Sequence, residues 1–251
     1  MSMEDLLYRI GESVYSVGGK VRGFLFPTPA ERPPKFSLLK RFIRKPLTVH
    51  EFLSLRLQIA FLIYLLANLA MLLIRLSPIW IAAVGAAYLM YLRYTLLKNR
   101  DFFIDPQPYR TFYYGISGIT LAAFLGYTAV RRIATSVYYY YGYLVVVFAA
   151  VMAFRWYFKQ KYGRDYTYGV VEEIKGDVVR VFVHDDIAAN VKPGHYWVDA
   201  VEDLEVGRVV KLIVEDRKLK GAVPARIIEV YLEEPPAQSS QSSTEPKEET
   251  E

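Results

Sequence analysis

The sequence of 251 residues contains no cysteine. This absence excludes disulfide bonds, thiolate nucleophiles and thiolate metal ligands. Asparagine and glutamine are also scarce, while Lys, Arg and Glu are common, which predicts a thermophilic source. The first residues include Glu4 and Asp5 and lack a short apolar core with a small-residue cleavage site, so we expect no cleavable signal peptide.

Acidic residues are missing between Glu51 and Asp101 and again between Asp105 and Asp165. Four apolar runs fill these stretches. A helix needs about 20 mostly apolar residues to cross about 30 Å of hydrocarbon. The sequence therefore predicts four transmembrane helices, near residues 53–75, 78–97, 112–130 and 137–158. The alternative, long helices in a soluble core, would leave little polar surface to face water.

The predicted spans contain no Asp, Glu, His or Lys. Coupled proton or ion movement normally uses such groups, so their absence argues against a proton-coupled pump and an intramembrane metalloprotease. A neutral pore stays open as an alternative, because backbone carbonyls can line one. The Asn68 side chain is interpreted as forming a hydrogen bond between two helices, with a ligand contact as the alternative.

Positive charge alternates between the flanks of the spans. Segments 35–56, 93–110 and 155–164 carry six, four and four Lys and Arg residues, whereas the other side carries only Arg75, Arg131 and Arg132. By the positive-inside rule, this pattern predicts a multi-pass protein of the cell membrane with both termini in the cytoplasm.

A dense tyrosine band, Tyr138–Tyr141, opens the fourth span. Because tyrosine has an apolar ring and a polar hydroxyl, the band is interpreted as an interfacial belt, with an aromatic ligand platform as the alternative. Residues 1–47 are basic and predict amphipathic helices. The first of these helices either packs on the spans or lies on lipid. In the second, four cations would meet anionic lipid: Lys40, Arg41, Arg44 and Lys45.

Small residues recur every four positions on two spans, Ala82 with Ala86 and Gly118 with Ala122 and Gly126. Such spacing lets helices approach closely. It predicts packing inside the bundle or, alternatively, self-association into a homo-oligomer.

Helix-start signals precede the first two spans. Thr48 and Glu51 have the spacing of a capping box, and Ser77-Pro78 provides a turn followed by a helix-starting proline. These signals predict a short hairpin between the first two spans.

After residue 164 the pattern changes to short strands with turn signals such as Lys175-Gly176. Five strand candidates in about 70 residues predict a small cytoplasmic all-β barrel, OB-like or SH3-like, over residues 165–234. The tail, 235–251, has no apolar periodicity and is predicted to be disordered. The fold class is thus a membrane α-helical bundle of four transmembrane helices followed by this barrel.

The barrel region, 165–234, carries nine Lys and Arg residues against fifteen Asp and Glu residues, a net charge of −6. This charge argues against nucleic-acid binding, which needs a basic surface, and favours a basic protein partner. Aromatic side chains can stack bases, but we expect most of those in this region to point into the barrel: Tyr166, Tyr168, Phe182, Tyr196 and Trp197.

Four potential ligand side chains lie in the barrel: His184, Asp185, Asp186 and His195. A hard divalent metal accepts carboxylate and imidazole ligands, but their spacing matches no established metal loop. No Ser/His/Asp arrangement and no glycine-rich phosphate loop accompanies them. We therefore predict no metal, no cofactor and no catalytic residue.

The four spans, the tyrosine-rich third connection and the segments GVVEEIKGDVVRVFV and GRVVKLIVEDRKLKGAVPARIIEVYLEE resemble an uncharacterised family of multi-pass membrane proteins from heat-loving archaea. The same C-terminal unit is more loosely similar to the soluble barrel of NfeD-type membrane proteins. Those proteins are implicated in membrane-protein quality control and scaffolding. Neither resemblance supplies a functional residue.

Three functions compete at this point. The leading one is a non-enzymatic membrane anchor or scaffold whose barrel binds another protein. The first alternative is a small transporter or channel subunit with the barrel as a regulatory cap. The second is an enzyme at the membrane surface that uses the histidines and aspartates named above.

Overall fold

The structure is a computed structural model that describes residues 48–202, 204–217 and 221–231, with residues 12, 15, 16, 19, 22–24 and 26–33 of the N-terminal region. The chain divides into two compact units between Arg164 and Asp165. Most of the predicted N-terminal amphipathic helices and the predicted disordered tail lie outside the described residues.

Four helices of the first unit are long and apolar enough to cross a membrane, which confirms the four predicted spans. They are α1 (Val49–Leu73), α2 (Pro78–Lys98), α3 (Pro106–Ile133) and α4 (Tyr138–Tyr162), with a short 3-10 turn at Arg100–Phe102.

The helix starts follow the sequence signals. The Thr48 hydroxyl accepts a hydrogen bond from the backbone N–H of Glu51, and the Glu51 carboxylate accepts one from the Thr48 N–H. This reciprocal pair is the predicted capping box. Ser77 caps α2 and Pro78 is its first residue, so the predicted hairpin is also confirmed.

Helix α3 begins at Pro106, six residues before the predicted start of its span, and continues to Ile133. The difference arises because apolar content detects only the part of a helix that lies in hydrocarbon. Pro106 costs no hydrogen bond in the first turn, where backbone N–H groups have no partner within the helix.

His50 fixes the start of α1 to the connection between α2 and α3. It is buried, and its ring lies edge-on to Phe103 and Tyr109. Nε2 lies 3.2 Å from the Tyr109 hydroxyl, and Nδ1 accepts a 3.4 Å hydrogen bond from the backbone N–H of Ile104. The sequence analysis assigned no role to His50.

Helix α3 packs on each of the other three helices, whereas α4 packs mainly on α3 and is the least buried of the four. On α2, a single helical stripe is buried: Ile81, Gly85, Tyr88 and Leu92. A Cβ added at Gly85 would lie 2.5 Å from a Leu121 methyl group, so this glycine permits the close approach of α2 and α3.

Part of the N-terminal region lies against the C-terminal end of α2. The ring of Phe24 stacks on Tyr94 at 4.9 Å, and the guanidinium of Arg93 lies over the ring of Phe26. The backbone N–H of Ala30 donates a 2.8 Å hydrogen bond to the Lys98 carbonyl. These contacts place Phe24, Phe26 and Ala30 on the protein's own helices.

The second unit is a closed barrel with strand order β1-β2-β3-β5-β4. Its strands are β1 (Tyr166–Lys175), β2 (Val178–Val183), β3 (Gly194–Asp199), β4 (Val209–Arg217) and β5 (Gly221–Tyr231). Neighbouring strands are antiparallel except β3 and β5, which are parallel. This five-stranded Greek-key arrangement is that of an OB-type barrel, one of the two predicted types.

The barrel interior is filled by small and branched side chains. Val179, Val181 and Val183 of β2 all point inward, as do Val210 and Leu212 of β4. The β1–β2 hairpin turns at Gly176, whose φ of +56° suits glycine. The predicted hairpin at Lys175-Gly176 is therefore confirmed.

Candidate functional site

One outer surface of the barrel collects aromatic and charged side chains from β1, β2 and β3. We call it the Trp197 face and define it by seven residues: Glu172, Glu173, Lys175, Arg180, Phe182, His195 and Trp197. The strand register brings them together, because Arg180 pairs with Trp197 and Phe182 pairs with His195. Alternate residues of a strand point to opposite faces, so these four side chains share the outer face.

A β-bulge in β1 places two glutamates beside one arginine. The register shifts between Val171 and Glu173, so that Glu172 and Glu173 both adjoin Arg180. The Arg180 guanidinium contacts the Glu172 carboxylate through Nε at 3.1 Å and the Glu173 carboxylate through Nη1 at 2.9 Å. The Arg180 guanidinium is therefore held in one orientation by two different acids.

Two further pairs complete the charged network. His195 Nδ1 lies 2.8 Å from Glu172 Oε2, and Lys175 Nζ lies 2.7 Å from Glu173 Oε1. The hydrogen bond from Lys175 lowers the pKa of the Glu173 carboxyl, with a smaller contribution from the charge of Arg180. The charged groups of this face thus neutralise one another locally.

Trp197 lies exposed beside two cations. Its side chain is 49% exposed, with Lys175 Nζ 5.4 Å and Arg180 Cζ 5.9 Å from the ring. These distances are within the range of cation–π attraction. The two cations therefore help to hold the indole in place on the barrel surface.

The aromatic residues of the barrel mostly point outward, and the prediction of inward positions is wrong for Tyr166, Tyr168, Phe182 and Trp197. On β1 the inward positions are Thr167, Gly169 and Val171, while only Tyr196 among the five aromatics packs against the core. The interior of a five-stranded barrel has room for valine and glycine and little room for rings.

Gly169 shows how little space the barrel interior has for larger side chains. A Cβ at this position would overlap the Val181 side chain and would lie 3.1 Å from a Leu212 methyl group. The small residues between the aromatics, at Thr167, Gly169 and Val171, were the available signal for the correct strand face.

The four potential metal ligands do not form a site. Among the described residues, no group of three or more His, Asp or Glu side chains is arranged to hold a metal ion. His195 contacts Glu172, and the ring of His184 lies edge-on to Phe182 at 5.0 Å. Asp185 is half-buried and stands next to the buried Asp186.

Asp186 has a structural role that the sequence analysis missed. Its buried carboxylate accepts hydrogen bonds from the Thr167 hydroxyl at 2.8 Å and from the backbone N–H groups of Ala188 and Ala189 at 3.1 Å each. It therefore organises the turn that bridges Asp186 and Val191. An aspartate that bonds backbone N–H groups two and three residues later is typical of turn formation.

A second candidate site lies among the membrane helices. We call it the mid-membrane cluster, and it consists of Tyr64 and Asn68 on α1, Tyr88 on α2 and Ser117 on α3. Tyr64 is nine residues from the end of α1 and Tyr88 is ten residues from the start of α2, about 15 Å from the shared hairpin at ~1.5 Å per residue. This depth is near the middle of the hydrocarbon.

The rings of Tyr64 and Tyr88 stack in parallel at 4.3 Å, and the Ser117 hydroxyl adjoins that of Tyr88. Within the described part of the chain, four buried polar atoms of the cluster lack an aligned hydrogen-bond partner: the hydroxyls of Tyr64, Tyr88 and Ser117 and the amide oxygen of Asn68. Each such atom costs free energy in hydrocarbon unless water or a ligand satisfies it.

Asn68 does not make the predicted bond between helices with its amide N–H group. That group donates a 2.8 Å hydrogen bond to the Tyr64 carbonyl of its own helix. Tyr143 of α4 does make an interhelical bond, because its hydroxyl donates a 2.5 Å hydrogen bond to the Ala123 carbonyl of α3.

The predicted small-residue positions divide into two groups. Gly126 contacts Tyr143, whose hydroxyl would lie 2.7 Å from an added Cβ, so this glycine packs inside the bundle. The other four are exposed: Ala82, Ala86, Gly118 and Ala122. Self-association through these residues stays a prediction.

The tyrosines that are predicted to form an interfacial belt lie at the start of α4. Tyr138, Tyr139 and Tyr141 are exposed, and the ring of Tyr140 contacts Tyr127 at 5.8 Å. Exposed tyrosines at a helix end fit the headgroup level. The four predicted lipid-binding cations of the N-terminal region lie outside the described residues: Lys40, Arg41, Arg44 and Lys45.

A family model described as "Predicted membrane protein (DUF2101)" matches residues 21–228, most of the chain. The match spans both the helices and the barrel, so it agrees with the resemblance to a family of membrane proteins. No curated protein and no solved structure matches the chain.

Proposed function

We propose that this chain, which belongs to the DUF2101 family of predicted membrane proteins, is a non-enzymatic membrane anchor that presents the Trp197 face to a protein partner. The observation that carries the proposal is the exposed Trp197 ring beside Lys175 and Arg180. Tryptophan and arginine are enriched among the residues that dominate binding energy at protein interfaces.

The charge of the barrel favours a protein over a nucleic acid. Residues 165–234 carry a net charge of −6, so phosphate groups would meet repulsion rather than counterion release. The partner that fits is a protein with an apolar pocket for the indole and a basic surface that complements the net negative charge of the barrel.

The first prediction concerns Trp197. Trp197→Ala should reduce the yield of partner crosslinked in native membranes about 30-fold, because loss of a central aromatic anchor commonly costs about 2 kcal/mol or more. The measurement is quantitative crosslinking of the full-length protein followed by mass spectrometry.

Val206→Ala provides the matched control for this experiment, since Val206 is also exposed on the barrel but lies outside the Trp197 face. Equal crosslinking yields for wild type and Trp197→Ala would contradict the proposal, and so would an equal loss in the control.

The proposed location is the cell membrane, with both termini in the cytoplasm. The excess of Lys and Arg on one side of the spans supports this orientation. A source among heat-loving archaea and a likeness to NfeD-type barrels stay predictions.

A second candidate function is the passage of a small neutral solute through the bundle. The mid-membrane cluster favours it, because its polar atoms without an aligned partner at mid-depth offer hydrogen bonds that lipid cannot use. On this hypothesis the cluster is hydrated.

Hydration can be measured directly because the natural chain has no cysteine. Ser117→Cys should react with a small thiol reagent at least tenfold faster than Ile81→Cys, a buried apolar position on the neighbouring helix, because thiolates form only in contact with water. Equal, slow reaction at both positions would exclude a hydrated path and leave the cluster as a packing feature.

A further inference from the structure

The cytoplasmic end of α4 carries an open groove. Five described residues line it: Met152, Arg155, Trp156, Lys159 and Gln160. Their spacing of three and four residues places them on one face of the helix. The groove is thus a continuous stripe over the last three turns of α4, and none of its lining residues belongs to the Trp197 face or to the mid-membrane cluster.

Its position matches a membrane interface. Lys159 lies twenty residues after Tyr139, about 30 Å along α4 at ~1.5 Å per residue, which is about the thickness of the hydrocarbon. When the tyrosine belt lies at one headgroup level, the groove lies at the other. Trp156 is 65% exposed at that level, where tryptophan side chains are enriched.

Its chemistry is that of an anion site joined to an apolar surface. Arg155 and Lys159 are one helical turn apart, so both cations lie on the same face of the helix. Arg155 can bind two oxygens of one phosphate, and Lys159 adds a second positive charge. Met152 lies one turn nearer the membrane centre and provides apolar contact surface.

We propose that this groove binds the headgroup of an anionic phospholipid. The phosphate lies between Arg155 and Lys159, Gln160 and the Trp156 indole N–H donate to the glycerol and ester oxygens, and Met152 contacts the start of an acyl chain. The site goes beyond the proposed anchor function, since it assigns a lipid class to one face of α4.

The depth of the groove in the membrane and its positive charge together identify the molecule that it binds. A soluble phosphate would use the two cations but would leave the Met152 surface without an apolar contact. An acidic peptide would have to enter the headgroup layer to reach the same cations. Only an anionic lipid supplies the phosphate and the acyl chain from its ordinary position in the bilayer.

The test uses full-length protein in vesicles of phosphatidylcholine with one fifth phosphatidylglycerol, followed by extraction and native mass spectrometry of retained lipid. Wild type should retain phosphatidylglycerol above its share of the vesicle. The double variant Arg155→Ala/Lys159→Ala should retain it about 30-fold less tightly, since each interfacial cation contributes roughly a fivefold factor.

Arg131→Ala/Arg132→Ala removes the same charge from the end of α3 and should leave retention unchanged. Arg155→Lys/Lys159→Arg keeps both charges and should restore most of it, which distinguishes lost binding from a damaged helix. Equal losses in the two alanine pairs, or unchanged retention in Arg155→Ala/Lys159→Ala, would overturn the proposal.

Competition with soluble anions shows whether the groove binds a whole lipid or only a phosphate group. Inorganic phosphate and glycerol phosphate at millimolar concentration should not displace phosphatidylglycerol, because they lack the acyl contact. Displacement by either one would mean that the groove is a phosphate site rather than a lipid site.

Discussion

Replacing Asp186 with alanine should destabilise the β-barrel and leave the stability of the four membrane helices unchanged. The change removes the acceptor for the Thr167 hydroxyl and for the N–H groups of Ala188 and Ala189, in a buried environment. A buried polar group without a partner costs roughly 1–3 kcal/mol. We therefore expect the free energy of unfolding of the barrel to fall by about 3 kcal/mol.

Hydrogen exchange of the full-length protein in detergent measures this loss locally. Protection of the β1 and β2 amides should fall about 100-fold, since ~1.4 kcal/mol corresponds to a factor of ten, while amides of α1–α4 keep theirs. Fully protected β1 and β2 amides in Asp186→Ala would contradict the structural role of the carboxylate.

Two controls distinguish the hydrogen bonds from a general effect of charge. Asp186→Asn keeps an acceptor oxygen and replaces the other oxygen with an N–H group that can donate to Thr167, so its loss should be smaller. Asp199→Ala removes an exposed acid on β3 and should change stability by less than about 0.5 kcal/mol. We expect Asp199→Ala to be the most stable of the three variants, Asp186→Asn to be intermediate and Asp186→Ala to be the least stable.

The membrane helices could be predicted because hydrocarbon imposes a simple demand on sequence. Each span needs about 20 apolar residues, and their boundaries carry caps such as Thr48 and Ser77. The start of α3 at Pro106 was not predicted, because that turn lies outside the apolar run and composition gives no signal for it. Apolar runs locate the hydrocarbon segment of a helix rather than its ends.

The faces of the membrane helices were harder to predict. An exposed alanine and a buried alanine look alike in sequence, and hydrophobicity does not separate lipid-facing from protein-facing positions. Ala82 and Ala86 are therefore exposed although their spacing suggests packing, while Gly85 between them makes the close contact with Leu121.

The candidate site on the barrel depends on which face of its strand each side chain occupies and on one β-bulge in β1. The sequence places aromatics and charges near one another along the chain, but only the pairing of β2 with β3 brings Arg180 beside Trp197. The extra residue in β1 then turns both Glu172 and Glu173 toward Arg180. Register and bulges arise from contacts between strands, so a single strand does not reveal them.

Two of the potential ligand residues make contacts that give them other roles. Asp186 and His195 were potential ligands by residue type, yet the carboxylate of one organises a turn and the imidazole of the other contacts Glu172. A residue type becomes a functional group only when its neighbours leave it available to a substrate or metal.

The central claim is that α1–α4 cross a bilayer and that the barrel lies on the same side as the connection between α2 and α3. Single cysteines in the natural cysteine-free background test it with a membrane-impermeant maleimide on intact cells. Ser77→Cys and Ser136→Cys should be labelled at once, whereas Arg100→Cys and Val206→Cys should be labelled only after permeabilisation. Labelling of Val206→Cys in intact cells, or equal labelling at all four positions, would contradict the account.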